Sequence, residues 1–172
     1  VNGSTLEMPD NNSKLVAQPL QFFRQIPGRG FYEIGAHINR DLAEARVGRG
    51  AGQADMDGDG RLDLAVSVHG GRARLYRNVS GATGSWIALR LRQTGGNTRA
   101  LGARVAVLAN GRTQTAQSGV NSGYLSQNAG DLHFGLGDAK RVERIVIDWP
   151  DGIREERADI AVNRVLRIEH DA

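Results

Sequence analysis

Residues 54–66, ADMDGDGRLDLAV, constrain this chain more than any other stretch. They set Asp55, Asp57, Asp59 and Asp63 at positions 1, 3, 5 and 9 of a short loop, with Gly60 at position 6. Carboxylates this close repel one another unless a cation sits among them. Alternate residues of a tight turn send their oxygens inward, and glycine allows the sharp bend. The backbone carbonyl of Arg61, at position 7, can supply a further oxygen. An all-oxygen, carboxylate-rich cage suits a hard cation, and its size and flexibility favour Ca²⁺ over Mg²⁺.

The loop departs from an EF-hand at its end. Position 12 of an EF-hand loop is a bidentate glutamate, whereas Val66 stands there in this chain. The residues after Asp63, LAVSV, read as a strand. Asp63 must then close the cage, and the loop joins strand to strand. The run GRGAGQADMDGDGRLDLAVSVHGGRARLYRN, residues 48–78, resembles a blade of an FG-GAP or VCBS-type β-propeller. In such blades one strand enters the calcium loop, a second leaves it, and a third ends in a Leu-Tyr-Arg-Asn-like stretch. Here that stretch is Leu75, Tyr76, Arg77 and Asn78. The resemblance implies Ca²⁺ as the cofactor and Asp55, Asp57, Asp59, Arg61 (through its carbonyl) and Asp63 as its ligands.

Upstream of the loop, residues 1–14 are polar and without periodicity, which predicts a tail or linker. Residues 20–24 and 30–34 are aromatic-rich runs around the Pro27-Gly28 turn signal, and predict a hairpin. By resemblance they are the outer strands of another blade. Residues 39–44 are polar and predict a helical turn. Residues 15–80 therefore hold parts of about two blades, while a closed propeller takes roughly four to eight. Blade edges left open are surfaces for pairing, so the expected partner is another protein or a second copy docked along them.

The second half predicts an antiparallel β-sandwich or barrel-like domain over residues 81–172, and the chain as a whole is expected to be all-β. Ile87, Leu89 and Leu91 alternate with Trp86, Ala88, Arg90 and Arg92, so the first set faces a core. Asn110-Gly111 signals a two-residue hairpin between residues 103–109 and 112–118. Further strands are expected at 132–136, 142–149, 153–157 and 165–169. Ile145, Ile147 and Trp149 share one face, and Pro150-Asp151-Gly152 turns the chain. In order, Asn97, Leu101-Gly102-Ala103-Arg104-Val105, Gly123-Tyr124-Leu125-Ser126-Gln127, His133-Phe134-Gly135-Leu136-Gly137 and Asp148-Trp149-Pro150-Asp151-Gly152 resemble the ASPIC/UnbV domain. That family motif usually ends Trp-Pro-Ser-Gly, and Asp151 replaces the serine while keeping the turn. In many bacterial secreted proteins this domain follows FG-GAP-type repeats.

Composition narrows the chemistry. With no cysteine among 172 residues, disulfides and thiolate metal sites are excluded. Net charge is +3, with Lys14 and Lys140 the only lysines and arginine the main base. Acidic residues are interspersed with the arginines, which argues against a nucleic-acid patch. No apolar run approaches the ~20 residues needed to span a membrane as a helix. The chain opens at Val1 without a leader, as expected of a processed product or a fragment. Low-affinity calcium modules suit calcium-rich spaces, which points to an extracellular or periplasmic location.

The four histidines, His37, His69, His133 and His170, show no metal-ligand spacing. Ser118, Ser122 and Ser126 lie near glycines but form no Gly-x-Ser-x-Gly elbow. The glycines of residues 48–52 are expected to permit close strand packing rather than to hold phosphate. Tyr124, Ser126, Gln127 and Asn128 form a Gly-bounded loop that reads either as a ligand- or partner-binding loop or as a structural turn. Trp86 and Trp149 read as core or inter-domain anchors, or as a carbohydrate platform. The leading expectation is a secreted, non-enzymatic, calcium-stabilised module for binding or assembly, with a glycan or matrix component as a further class of partner. The alternative is an accessory subunit or enzyme of a biosynthetic pathway, as the UnbV resemblance permits, in which His133 would group with Asp131 or Asp138.

Overall fold

The computed structural model describes residues 16–81, 83–120 and 123–171. The tail expected over residues 1–14 and the serine at 122 lie outside them. The chain divides into two compact units. One takes the chain through Gln53, with Asp63–Arg77 and Gly123–Gln127; the other takes Ala54–Leu62 and the remainder from Asn78 onward.

The first unit holds a hairpin, two single-turn helices and a three-stranded sheet. Strands β1 (Phe23–Ile26) and β2 (Gly30–Glu33) pair antiparallel around the predicted turn. Helices α1 (Gly35–Ile38) and α2 (Arg40–Ala43) follow. Asn39 caps α2 by accepting the Asp41 N–H on its side-chain oxygen, the role asparagine fills at helix starts. Strands β3 (Gly48–Ala54), β4 (Asp63–Val68) and β5 (Arg74–Tyr76) form the sheet in that order. Its core is small: Leu20, Leu42 and Val66, with Ala51, Leu64 and Tyr76 packed against them.

The second unit is a sandwich of two sheets. Strands β6 (Ser85–Gln93), β7 (Arg104–Ala109), β8 (Arg112–Gln117), β9 (Leu132–Gly137), β10 (Arg141–Asp148), β11 (Arg154–Ala161) and β12 (Arg164–His170) build it. One sheet runs β11-β10-β7-β8 and the other β12-β6-β9. Asn110 and Gly111, at φ +47° and +67°, make the β7–β8 turn, the left-handed pair that a tight hairpin requires. Ile87, Leu89 and Leu91 of β6, Phe134 of β9 and Ile168 of β12 share a core with Val105 and Val107 of β7 and Val142, Ile145 and Ile147 of β10. Each such side chain contributes about 1.5–3 kcal/mol on burial. Trp149 is buried in this core, whereas Trp86 is only partly covered. The sandwich differs from an all-antiparallel expectation at one pair: β12 lies parallel to β6, with Ile168 opposite Leu91.

Candidate metal centre

Strand β3 ends and β4 begins on either side of the acidic loop, which is why the loop is tight. Its first aspartate organises the backbone. The Asp55 carboxylate accepts N–H groups from Gly58 at 2.8 Å, Asp59 at 3.1 Å and Gly60 at 2.8 Å. Gly60 takes φ +87°, the left-handed bend anticipated at position 6. Within these consecutive residues, carboxylate oxygens of Asp55, Asp57 and Asp63 all lie within 4.8 Å of one another. Asp63 is buried, 2% exposed.

Ligand oxygens on opposite sides of a calcium ion stand about 5 Å apart, twice the Ca–O distance. Oxygens within that span of one another could hold such an ion, and they are the hard donors that calcium selects. A divalent cation here would offset the repulsion among the carboxylates and fix the turn between β3 and β4. Asp59 does not join the trio. Its Oδ1 accepts the Arg61 N–H at 2.9 Å, and its Oδ2 pairs with the Arg61 guanidinium. The backbone hydrogen bond from Arg61 is the main reason its carboxyl is held below the usual range, followed among the favourable causes by the Arg61 charge.

Two residues outside the predicted ligand set hold the loop in shape. Arg61 Nε donates to the Asn78 carbonyl at 2.8 Å, and Asn78 Nδ2 donates to the Leu62 carbonyl at 3.2 Å. The Asn78 that ends the Leu-Tyr-Arg-Asn stretch thus ties down the far side of the loop. His133 Nε2 lies 2.9 Å from the Gly60 carbonyl. A carbonyl can only accept, so Nε2 carries the hydrogen. Neither partner is visible in local spacing, because each lies 16 or more residues away from the atom it contacts.

The other candidate loop packs on β3. The Ser126 Oγ accepts the Ala51 N–H at 2.8 Å and donates to the Tyr124 carbonyl at 2.7 Å. A side chain at Gly50 would run into the Leu125 carbonyl at 2.4 Å, and one at Gly52 would meet the Gln127 carbonyl at 2.9 Å. The glycines of β3 thus admit the 125–127 backbone. Tyr124 and Leu125 stand out from the surface, 71% and 70% exposed.

His133, Asp131 and Asp138 each bond to a different group. Asp131 forms a two-pronged pair with Arg90, at 2.8 and 2.7 Å, and so holds the guanidinium pKa above its ordinary value. Asp138 accepts from Asn110 at 2.7 Å. His133 is engaged with Gly60.

Comparison with known proteins gives two results. Residues 93–172 match the sequence profile of the family described as ASPIC and UnbV. The chain is 31% identical to Cartilage acidic protein 1 of Xenopus tropicalis over 147 residues, 77% of this chain and 22% of that protein. It is 35% identical over 137 residues to Cartilage acidic protein 1 of Mus musculus, covering 70% of this chain and 20% of the relative. The Homo sapiens protein of that name matches at the same identity over 19% of its length. The chain spans about a fifth of the length of these curated relatives.

Proposed function

For a chain whose residues 93–172 match the family described as ASPIC and UnbV, we propose the role of a secreted, calcium-stabilised module for binding and assembly. The observation that carries this reading is the convergence of Asp55, Asp57 and Asp63 within 4.8 Å. In this reading sheet β3-β4-β5 with its loop is a propeller blade of the FG-GAP or VCBS type. Asp55, Asp57 and Asp63 bind Ca²⁺ through side chains, Arg61 contributes its carbonyl, and Asp59 steadies Arg61. Calcium supplies no chemistry beyond charge and geometry. It holds the β3–β4 turn rigid so that neighbouring surfaces keep one shape.

The docking surfaces are the apolar groups that the first unit leaves in solvent. Phe23 and Phe31 of the β1–β2 hairpin are 52% and 68% exposed, and Tyr124 and Leu125 add a second apolar projection. Large aromatics held in water in this number suit contact with another protein or a matrix component. The reading extends to a location outside the cytoplasm, where calcium is abundant.

The test is thermal unfolding followed by tryptophan fluorescence, in calcium and in chelator. Both reporters, Trp86 and Trp149, lie in the unit that carries residues 54–62. Calcium at ten times its dissociation constant adds about 1.4 kcal/mol, a rise of a few degrees. Asp57→Ala should melt with wild type in chelator and fail to gain in calcium. Equal losses in both conditions would overturn the calcium role.

A further inference from the structure

Gly60 lies against an aromatic platform that belongs to the sandwich. Trp86 on β6 and His133 on β9 are diagonal neighbours, because Trp86 pairs with Gly135 and Ala88 with His133. Their rings stack at 5.6 Å between centroids and 9° between planes. A Cβ placed on Gly60 would sit 1.9 Å from Trp86 Nε1 and 2.2 Å from Cε2. The indole therefore covers the face of Gly60 where any other residue would carry a side chain. From the same platform His133 Nε2–H reaches the Gly60 carbonyl at 2.9 Å. Position 6 of the loop is thus fixed twice, by ring contact against its α-carbon and by a hydrogen bond to its oxygen.

We propose that the Trp86–His133 stack is a clamp that presets the acidic loop, holding Gly60 in its left-handed bend before any cation arrives and so setting the loop's affinity for calcium. It rests on the reading of the loop as a cation site, and it makes Trp86 and His133 positioning residues rather than ligands. The physical reason is preorganisation. The N–H groups of Gly58, Asp59 and Gly60 converge on the Asp55 carboxylate only while the backbone keeps its bend. A loop already in that shape gives up less conformational freedom when an ion binds. In this account glycine at position 6 answers to packing as well as to φ.

The experiment measures amide hydrogen exchange at Gly58, Asp59 and Gly60 in chelator, with Val107 and Ile145 of the core as internal controls. His133→Phe keeps a ring for Trp86 to stack on and removes the donor; His133→Gln keeps a donor near the Nε2 position; Trp86→Leu removes the stack. Exchange at the three loop amides should rise about tenfold in His133→Phe, the effect of one lost hydrogen bond, with the core amides unchanged. His133→Gln should recover most of the protection. Loop amides that match wild type in both His133→Phe and Trp86→Leu would overturn the clamp. So would loop amides that speed up only in step with the core. If Trp86→Leu loosens the core, His133→Phe decides alone. A parallel calcium titration should show weaker binding in His133→Phe, by about the same tenfold. A wild-type chain that takes no calcium would sink the calcium reading while leaving the chelator comparison to decide the clamp.

Discussion

The Tyr76 hydroxyl donates to Asp41 Oδ2 at 2.6 Å, and Arg46 closes on Asp41 Oδ1 at 2.5 Å and on the Asp41 carbonyl at 2.6 Å. This knot stands where the small core of the first unit needs help. Burial pushes the Tyr76 phenol up to about 12, with the Asp41 hydrogen bond and charge adding to it. The Tyr76 hydrogen bond is the largest cause that holds the Asp41 carboxyl below its usual range. The signs follow from linkage. A raised phenol contributes stability that is whole below its unfolded pKa and is lost as pH climbs toward 12. A lowered carboxyl contributes stability that is whole above its unfolded pKa and is lost as pH falls through its folded one. Tyr76→Phe should cost about 1 kcal/mol and flatten the alkaline limb of the stability profile. It should also remove from the ultraviolet pH titration a phenol that ionises near 12; a variant that instead loses a phenol ionising at the ordinary value of about 10 would contradict the pairing. A second link behaves like the carboxyl. His170 Nε2 lies 2.6 Å from Asp151 Oδ2 and stacks on Trp149 at 4.7 Å. The hydrogen bond from His170 is the main cause that lowers the Asp151 carboxyl. His170→Ala should therefore move acid unfolding to higher pH. An unshifted acid midpoint would show that the pair contributes nothing. The sequence motif marks Asp151 as keeping the turn, but its histidine partner lies 19 residues away and leaves no local trace.

At the scale of elements, period-two alternation carried most of the sandwich. Ile87, Leu89 and Leu91 are buried as their spacing required, and so are Ile145, Ile147 and Trp149. The Asn110-Gly111 hairpin follows directly from two residues that tolerate positive φ. Ile145→Ala should cost about 2–5 kcal/mol, because the site is fully enclosed by both sheets; a loss below about 1 kcal/mol would mean that the core collapses around the cavity. What alternation could not reveal is which strands pair. The parallel β12–β6 contact joins residues 77 apart, such as Arg164 and Ile87, and side-chain periodicity is the same in parallel and antiparallel neighbours. The packing of residues 125–127 on β3 was half legible: the glycines at 50 and 52 announced a close backbone approach, but not by what. In the acidic loop the spacing placed Asp55, Asp57 and Asp63 together, whereas Asp59 turns to Arg61 because the adjacent guanidinium and N–H compete for its oxygens. Gly50→Val should disrupt this packing, since its Cβ would overlap the Leu125 carbonyl and crowd Ser126 Oγ. Proteolysis near residues 123–127 should quicken markedly, and an unchanged digestion pattern would refute the contact.

At the scale of the whole molecule, the two units differ in how well they bury themselves. The sandwich encloses a broad apolar core, while among the described residues the first unit buries Leu20, Leu42 and Val66 and leaves Phe22, Phe23, Phe31 and Tyr32 in solvent. A chain built this way should associate through the first unit. Light scattering in calcium should give a mass above the 18.5 kDa of one chain, and Phe31→Ser should return it to the monomer; a monomer at every concentration would send the search for partners to other proteins. Calorimetric titration of Ca²⁺ into the metal-free chain asks whether the loop of Asp55, Asp57 and Asp63 takes the ion. One site per chain is expected, with a dissociation constant on the order of 10⁻⁴–10⁻³ M, abolished by Asp57→Ala. A titration without saturable heat, or one that Asp57→Ala leaves intact, would contradict it.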